Sequence, residues 1–353
     1  MADNTHIEWT DATWNVVTGC AVVSPGCTNC YAMKLAGTRL RDHPSRKGLT
    51  RDSKAGPVWN GQVRFNADWL TQPLRWTKPR KIFVCAHGDL FHEGVTDDQL
   101  DQVFAVMALA PQHVFQVLTK RPERMREYLT ASNRQLHIAQ AGTPHDGAGE
   151  LWWGRFLKPW PLPNVWLAVS VEDQTRAEQR IPALLETPAA VRWISAEPLI
   201  GPVNLKNIET TPPRVAYLNA LSGRRMTCEA GGPYMEVPAL PGLDWVVVGG
   251  ESGQGSRPMH PDWARNLRDQ CADAGVAFLF KQWGDWTPGE NAQNTLGRTV
   301  ETADWFNDAW DYQTLTLASA EGMHIDDEPT LYRAGKRAAG RHLDGHLHDG
   351  YPA

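Results

Sequence analysis

Short apolar runs rich in β-branched residues recur along the chain, and each run is nearly continuous rather than alternating. This pattern is typical of strands that are buried on both faces, as in a parallel sheet. The runs predict strands at residues 14–18, 82–85, 114–118, 165–170, 191–195, 245–248 and 276–280.

Helical patterns lie between these runs, with apolar residues at helical spacing in residues 98–108, 176–185 and 262–274. In the last of these, Cys271 falls on the apolar face, which predicts a core position. Alternation of strands and helices indicates βαβ units and a parallel sheet. The pattern therefore predicts an α/β fold, a full or partial TIM-type barrel, and a doubly wound open sheet is the alternative.

Three stretches interrupt the alternation. Residues 34–80 are rich in Arg, Gly and Pro, and they predict a helix and a small hairpin. Residues 207–241 have few apolar periods and are interpreted as an insertion. Residues 287–353 are interpreted as a C-terminal extension packed on the barrel, which itself takes up residues 1–286.

Polar or conformationally special residues follow every predicted strand directly. The active site of a parallel barrel lies at the C-terminal ends of its strands, so we expect these residues to converge on one site. In chain order, the strand ends carry Gly19 and Cys20; His87, Asp89 and His92; Thr119, Lys120 and Arg121; Ser170 and Glu172; Ser195 and Glu197; Gly249, Gly250, Glu251 and Arg257; and Lys281, Gln282 and Trp283.

The predicted site contains several carboxylates, which would repel one another unless cations or a metal lie nearby. Basic residues at the same strand ends supply that balance. For each of these residues the alternative is a helix N-cap or a solvated loop charge. The acids are Asp89, Glu172, Glu197 and Glu251, and the bases are Lys120, Arg121, Arg257 and Lys281.

The glycine-rich segment 249–253 allows backbone N–H groups to approach a ligand closely. It lacks the spacing of a dinucleotide fold or a P-loop, so it is evidence for neither. A tight turn that binds no ligand is the alternative.

The adjacent Lys120 and Arg121 are a candidate anchor for a phosphate or carboxylate, because Arg offers a planar fork of donors. An ion pair with Glu123 at a helix start is the alternative. His87 and His92 are candidate acid–base groups, or histidines whose hydrogen bonds are satisfied by backbone.

A cluster of cysteines occupies residues 19–32, where Cys20, Cys27 and Cys30 lie in one short loop. Three thiolates can hold a metal or an iron–sulfur cluster, and they leave one coordination position for a further ligand. A structural Cys₃His zinc site is the alternative, with His6 or His43 as the fourth ligand. Because Cys20 follows the first predicted strand, its position at the barrel mouth favours a cluster with an open position.

Composition narrows the class of protein. The formal net charge of −5 excludes a basic protein that coats nucleic acid, so any nucleic-acid contact must come from a local patch. The N-terminal segment has no cationic and apolar pattern of a secretory signal, and no apolar run reaches membrane-spanning length.

Six cysteines, half of them clustered, do not resemble a disulfide framework, so we expect a cytoplasmic protein. Tryptophan is frequent, with 16 residues, and a few are candidates for stacking on a base.

Several blocks of the sequence resemble a phage and prophage protein family that is marked by an N-terminal three-cysteine motif. That family resembles divergent radical S-adenosylmethionine (SAM) enzymes, with spore photoproduct lyase as a distant relative. The blocks occur in order at residues 7–20 (I-E-W-T-D-A-T-W-N-V-V-T-G-C), 89–93 (D-L-F-H-E), 118–124 (L-T-K-R-P-E-R), 170–174 (S-V-E-D-Q), 195–202 (S-A-E-P-L-I-G-P), 249–253 (G-G-E-S-G), 280–284 (F-K-Q-W-G) and 334–345 (A-G-K-R-A-A-G-R-H-L-D-G).

The resemblance implies a [4Fe–4S] cluster held by Cys20, Cys27 and Cys30, with SAM chelating the fourth iron. In that superfamily an electron from the cluster cleaves SAM to methionine and a 5′-deoxyadenosyl radical, which abstracts hydrogen from the substrate. It also implies a partial (β/α)₆ barrel whose cluster loop follows the first strand, and an external electron donor as a partner.

This chain departs from the superfamily pattern in two ways. Its spacing is C-x₆-C-x₂-C rather than C-x₃-C-x₂-C, and Asn29 replaces the usual aromatic residue before the third cysteine. Tyr31 follows instead and is expected near the adenine. The G-G-E element that receives the SAM amino group normally follows the second strand, where Asp89 lies here. The candidate cofactor-binding residues are Tyr31, Asp89, Ser170, Glu172, Gly249, Gly250 and Glu251, and the candidate catalytic residues are Lys120, Arg121, Glu172, Glu197 and Lys281.

Relatives act in phage pathways that elaborate thymidine in DNA, where a radical isomerase rearranges an amino-acid adduct on the base. The resemblance therefore predicts a glycyl-type adduct of thymidine as substrate, in DNA or as a nucleotide. A lyase that acts on DNA lesions is an alternative within the same chemistry. Outside it, the alternatives are a barrel hydrolase with a zinc-bound cysteine loop and a zinc-stabilised nucleic-acid-binding protein, and the absence of a basic stripe speaks against the last.

Overall fold

A seven-stranded sheet runs through the fold, and its strand order follows the order of the chain. The computed structural model describes residues 5, 7–146, 159–210, 217–228, 233–292, 299–316 and 329–352. The strands are β1 (Ala12–Trp14), β2 (Lys81–Val84), β3 (Val114–Thr119), β4 (Val165–Ser170), β5 (Val191–Ala196), β6 (Trp245–Gly249) and β7 (Ala277–Gln282).

Neighbouring strands pair in parallel from β1 to β4 and again between β6 and β7. A strictly sequential order differs from a doubly wound sheet, in which the order reverses at a switch point. The fold is therefore mixed α/β and compatible with a partial TIM-type arrangement, as the strand pattern predicted.

Helices alternate with these strands, and their ends follow from local sequence. Helix α2 begins after a capping box in which Thr96 and Gln99 exchange side-chain to backbone hydrogen bonds. Helix α6 ends at Gly275, whose φ of 67° suits glycine. Cys271 in α6 is fully buried, so its predicted core position is confirmed. The helices are α1 (Tyr31–Gly37), α2 (Asp97–Leu109), α3 (Pro122–Thr130), α4 (Arg134–Asp146), α5 (Gln174–Glu186), α6 (Pro261–Ala274), α7 (Gly289–Ala292) and α8 (Lys336–Ala339).

The first predicted strand, residues 14–18, was wrong in its extent. Strand β1 ends at Trp14, and Val17–Thr18 forms a separate antiparallel pair with Arg64–Phe65. The Asn66 side chain donates to the carbonyl of Asn15 at 3.0 Å, and the Asn66 backbone N–H donates to that of Val16. These bonds interrupt the parallel ladder after Trp14. A parallel bridge between Gly19 and Gly88 restores the pairing just before Cys20.

The chain divides into two compact units. Unit 1 comprises Met1–Ser170, Gln179–Trp193 and Leu240–Gly242, and it contains β1 to β4. Its core includes Trp9, which packs edge-on against Phe83 and Trp193 with ring centroids 4.7 and 5.2 Å apart.

The stretch 34–80 in unit 1 holds the predicted hairpin, formed by Thr50–Arg51 and Val58–Trp59. The predicted helix begins earlier, because α1 starts at Tyr31. Short 3₁₀ helices complete this region at Ala67–Trp69 and Gln72–Arg75, and a further one, Pro25–Cys27, precedes α1.

Unit 2 comprises Val171–Glu178, Ile194–Ala239 and Leu243–Ala353, and it contains β6 and β7. The stretch interpreted as an insertion folds as a small antiparallel sheet of Ile208–Glu209, Tyr217–Leu218, Arg225–Thr227 and Met235–Val237. A second antiparallel sheet has the order Trp286–Pro288, Thr330–Arg333, Thr299–Phe306 and Ala309–Thr316, and we call it the C-terminal sheet.

Within the part of the chain that the structure describes, no helix combines the length and apolarity needed to cross a membrane.

Candidate functional site

The cysteine loop of unit 1 is built from two consecutive turns. Cys27 ends the 3₁₀ helix Pro25–Cys27, and its backbone N–H donates to the Ser24 carbonyl at 2.9 Å. Cys30 caps α1, and its N–H donates to the Cys27 carbonyl at 3.3 Å. Cys20, Cys27 and Cys30 are all free thiols. The loop therefore presents its thiols on short, locally hydrogen-bonded segments.

Burial controls the protonation of these thiols. Burial, together with the charge of Asp89 and against the opposing effect of Arg121, raises the pKa of Cys20 to about 12. Burial also raises the pKa of Cys30. A smaller contribution from Cys27 adds to the increase at Cys20 and at Cys30. Such thiols become thiolates only with a strong positive partner, and bound metal is one.

The donor set fits a metal or cluster held by thiolates, because three sulfur atoms lie in one loop and none of them forms a disulfide. The loop is not a preformed chelate. Over residues 5, 7–146, 159–210, 217–228, 233–292, 299–316 and 329–352, no group of three or more His, Cys, Asp or Glu side chains is placed to hold a metal ion. His6, the alternative zinc ligand, lies outside the described residues, and His43 instead bonds Ser45 at 2.7 Å.

Arg121 links the cysteine loop to the ends of β2 and β3. Its Nε donates to both oxygens of Glu93 at 2.8 and 2.9 Å, and its Nη1 donates to Asp89 Oδ2 at 3.0 Å. The same Nη1 lies 3.8 Å from Cys20 Sγ. Burial alone would lower the pKa of this guanidinium, but Asp89, Cys20 and Glu93 raise it above its ordinary value. A permanent positive charge is therefore fixed beside one of the cysteines.

The Nη2 group of Arg121 is buried and has no hydrogen-bond partner among the described residues. The ion pair with Glu123 was the alternative to an anchor role, and the guanidinium is instead held by Asp89 and Glu93. An unpaired buried donor of this kind carries a desolvation cost that an anionic ligand would offset.

Asp89 is a saturated acceptor. Its Oδ1 accepts from the Phe91 N–H at 3.0 Å and from Thr119 Oγ1 at 2.6 Å. Its Oδ2 accepts from the Lys120 N–H at 3.1 Å and from Arg121. A carboxylate has about four lone-pair sites, so these four donors occupy it. The geometry gives Asp89 the part of positioning Arg121 rather than that of a free acceptor for a cofactor amine.

Two histidines follow β2, and both are neutral near pH 7. Burial, and then the charge of Arg46, lowers the pKa of His87 to about 4. Arg46 Nη2 donates to His87 Nδ1 at 2.9 Å, so the remaining proton sits on Nε2. His92 Nδ1 accepts from the Gly94 N–H at 3.0 Å, and burial lowers its pKa too. His92 Nε2 is buried without a partner in the described part of the chain.

Tyr31 stands at the start of α1 with its ring about half exposed. Its hydroxyl donates to the Ala86 carbonyl at 2.6 Å, and its ring meets His87 edge-on at 5.8 Å between centroids. The ring is fixed at one end and accessible along its side, so it is available to pack against a planar group.

In unit 2, Glu197 and Lys281 form an ion pair with a 2.9 Å separation between Oε1 and Nζ. Ser195 Oγ donates to Glu197 Oε2 at 3.4 Å. Gly249 leaves room for this carboxylate, because a Cβ at position 249 would lie 2.5 Å from Glu197 Oε1. The predicted balance of acid by base is realised here within one unit.

A second pair in unit 2 joins Glu251 and Arg257. The Arg257 backbone N–H and Nε donate to Glu251 Oε2 at 2.8 and 2.9 Å, and Nη2 donates to Oε1 at 2.7 Å. Three donors from one residue make this a rigid charge-assisted turn. The Gly250 N–H donates to the Gln282 carbonyl at 2.9 Å, so it is not presented to a ligand.

Gly250 serves close packing, and Gly250→Ala should lower the free energy of unfolding by about 2 kcal/mol or more. A Cβ at this position would overlap the Trp283 carbonyl, which is backbone and cannot rotate away. Urea unfolding of the two proteins measures the difference. Ser252→Ala is the matched control, since its hydroxyl has no partner in the described residues and its loss should be nearly neutral. Equal stability of Gly250→Ala and the parent would contradict the packing argument.

The remaining predicted site residues are placed as follows. Ser170 ends β4 in unit 1, and its carbonyl accepts from Arg180 Nη1 at 2.9 Å. Glu172 in unit 2 is fully buried. Lys120 is half-buried at the end of β3. Convergence within a unit is thus seen for two sets of predicted residues: Cys20, Asp89 and Arg121 in unit 1, and Glu197, Gly249 and Lys281 in unit 2.

Sequence reasoning missed Arg46 and the partner role of Glu93. Arg46 is buried, and burial together with the charge of Arg64 lowers its pKa to about 10. Its place beside His87 follows from the fold of the stretch 34–80 and has no local sequence signal. Glu93 lies within the D-L-F-H-E block, so its position was visible, but its pairing with Arg121 depends on two strands being neighbours.

A family model described as "Protein of unknown function (DUF5131)" matches residues 4–352. The chain therefore belongs to the DUF5131 family. No curated protein and no solved structure matches it.

Proposed function

We propose that this member of the DUF5131 family is a radical SAM enzyme with a partial (β/α)₆ barrel. Cys20, Cys27 and Cys30 would hold a [4Fe–4S] cluster, and SAM would occupy the remaining iron. The observation that supports this most is the cysteine loop itself, with three free thiols in one loop and the guanidinium of Arg121 beside Cys20. When bound, the cluster supplies the electron that cleaves SAM and releases a 5′-deoxyadenosyl radical for hydrogen abstraction.

The chain's own residues would prepare the cysteine loop for the cofactor in three ways. Arg121 is locked by Asp89 and Glu93, so its charge stays beside the cysteine loop and favours the thiolate form of Cys20. Its unpartnered Nη2 is oriented by the same contacts and would donate to an anionic group of the cofactor, such as the SAM carboxylate. Tyr31 offers its accessible ring to the adenine.

The substrate proposal follows from the resemblance to phage enzymes that modify thymidine. We propose a glycyl-type adduct on thymidine, rearranged by an isomerase reaction in DNA hypermodification, with lesion cleavage as the second candidate. Because Arg121 is buried and is proposed here to contact the cofactor, the half-buried Lys120 is the proposed contact with substrate phosphate. Glu172, Glu197 and Lys281 are the proposed catalytic residues, and an external donor supplies the electron.

Anaerobic reconstitution of the full chain with iron and sulfide tests the proposed function. We expect about four irons and four sulfides per chain, since a cubane has that composition. After reduction, the reconstituted protein should release 5′-deoxyadenosine from SAM even without substrate, and liquid chromatography with mass detection measures the product. Protein reconstituted without sulfide is the control.

Other outcomes of this experiment identify the rival functions. One tightly bound zinc per chain, no sulfide and no SAM cleavage would contradict the proposal and favour a zinc-bound loop. Cluster formation with SAM cleavage, but with no product from thymidine-adducted DNA or nucleotide, would retain the radical chemistry and reject the substrate.

A further inference from the structure

One face of the C-terminal sheet carries a row of chemically varied side chains. Trp286 is in register with Arg333, and Glu301 is in register with Thr314. Arg333 and Glu301 form an ion pair between the neighbouring strands, so the four residues make one row across the sheet. Tyr312 lies two residues from Thr314 on the same strand and therefore on the same face.

This row lines a cavity of about 340 Å³ in unit 2. The loop residues Gly255, Ser256 and Arg257 line its other side. The volume falls within the range of sites for small organic ligands. Every residue named here belongs to unit 2 and to the described part of the chain.

An unsatisfied polar group marks the cavity wall. Ser256 is only 6% exposed, and its Oγ has no hydrogen-bond partner among the described residues. The Ser256 carbonyl, by contrast, accepts from Trp286 Nε1 at 2.8 Å, which fixes the loop against the sheet. A buried hydroxyl without a partner costs free energy that a ligand contact would offset.

The aromatic part of the cavity wall is accessible. Tyr312 is 54% exposed, and its ring meets Trp286 edge-on with centroids 5.7 Å apart. Arg333 lies over the Trp286 ring at 5.8 Å from the centroid, so the guanidinium is oriented by both the ring and Glu301. The exposed face of Tyr312 is thus free of the Trp286 contact and suited to stacking on a flat ring.

The combination of aromatic, acidic and basic side chains around this cavity favours one class of ligand. An inorganic anion would gain nothing from Tyr312 and would be opposed by Glu301. A neutral sugar would gain little from the charges of Arg257 and Arg333. A nucleotide uses all of them: its base stacks on the aromatic ring, its N–H groups donate to a carboxylate, and its phosphate pairs with guanidinium.

We propose that this cavity binds a nucleotide, either as one unit of single-stranded DNA or as a free nucleotide. The base stacks on Tyr312, and Glu301 and the Ser256 hydroxyl contact its polar edge. The partly exposed guanidinium groups of Arg257 and Arg333, which are held in place by Glu251 and Glu301, face the phosphate. This site lies apart from the cysteine loop in the sequence and does not depend on cluster chemistry. The test of this site is therefore independent of the test of the radical SAM assignment.

Binding of a fluorescein-labelled dT₁₂ oligonucleotide to the full chain, measured by fluorescence anisotropy without iron, tests the site. Tyr312→Ala should weaken binding about 5- to 150-fold, because stacking contributes about 1–3 kcal/mol per base. Tyr312→Phe should keep the affinity, since the ring remains. Phe306→Ala is the matched control, because Phe306 is a similarly exposed aromatic (58%) on the neighbouring strand that does not line the cavity.

Two further binding measurements identify the ligand. Arg333→Gln should reduce the slope of log affinity against log salt by about one, as expected for one lost phosphate contact. Competition by dTMP at concentrations where inorganic phosphate does not compete would show that a single nucleotide suffices, and competition by unlabelled dT₁₂ alone would show that a strand is required.

Either of two results would overturn the proposal. Inorganic phosphate competing as well as dTMP would reduce the site to a simple anion contact. Equal affinity of Tyr312→Ala and the parent would exclude stacking. If the circular dichroism spectrum shows that Tyr312→Ala has lost structure, Ser256→Ala replaces it, with a loss of at least threefold expected and no loss counting against the site.

Discussion

Replacement of Cys20, Cys27 or Cys30 by Ala, one at a time, should abolish stable binding of iron and sulfide by the reconstituted chain. Each cysteine supplies one of the three thiolates of the proposed cluster, and two thiolates do not anchor a cubane securely. The loop offers no substitute, because Cys85, Cys228 and Cys271 lie in other segments of the chain. Iron and sulfide analysis per chain, with the visible absorption of the cluster, measures the effect.

Cys271→Ala is the matched control for the cysteine variants. Cys271 is fully buried in α6, far along the chain from the loop, and its thiol packs as a small apolar group. This variant should retain about four irons per chain. Full iron and sulfide content in a loop variant would contradict the assignment of that cysteine. Loss of the cluster in Cys271→Ala would show that the iron and sulfide content depends on the stability of the protein rather than on the cysteine ligands.

Arg121 shows which features of the site follow from the local sequence and which depend on the tertiary structure. Its basic character, its place after β3 and the proline that starts α3 could all be predicted. Its partners could not, because Glu93 and Asp89 come from the segment after β2 and meet it only through the pairing of β2 with β3. The sequence alternative, Glu123, was the nearest acid along the chain and not the nearest in space.

The first strand was mispredicted for a related physical reason. An apolar run predicts burial, and residues 14–18 are all buried, but burial does not specify which strand the backbone pairs with. Asn66, distant in sequence, binds the Asn15 carbonyl where the parallel ladder is interrupted. The predicted positions of strands β2 to β7 are correct to within two residues.

The sequence predicted that basic residues at the strand ends would balance the charge of the carboxylates there. Glu197 with Lys281 and Glu251 with Arg257 fulfil it within unit 2, and Asp89 with Arg121 fulfils it within unit 1. Which acid meets which base depends on strand register and on the glycines that allow close approach. Gly249 illustrates this, since only its missing side chain gives Glu197 room.

A buried ionic network in unit 1, away from the cysteine loop, holds α2 to α3 and α4. Arg134 Nη1 donates to Asp101 Oδ1 at 2.8 Å, and its Nε donates to the Tyr128 carbonyl at 3.0 Å. The Tyr128 hydroxyl also donates to Asp101 Oδ1, at 2.8 Å. The guanidinium carbon lies 4.0 Å from the centre of the Tyr128 ring. Asp101 and Arg134 side chains are both only 6% exposed, so each depends on the other for its charge balance.

Asp101→Ala should lower the free energy of unfolding by about 3–5 kcal/mol, because it removes the buried acceptor shared by Arg134 and the Tyr128 hydroxyl and leaves only the more exposed Asp97 to balance the guanidinium. Urea unfolding followed by tryptophan fluorescence and circular dichroism measures the loss. Asp98→Ala on the same helix is the control, since Asp98 is exposed and its replacement should change stability by less than about 0.5 kcal/mol. The double variant Asp101→Leu/Arg134→Met should recover much of the loss, because it removes both charges. A loss below about 1 kcal/mol in Asp101→Ala would mean that the ion pair with Asp97, on the more exposed side of the guanidinium, is enough to hold Arg134.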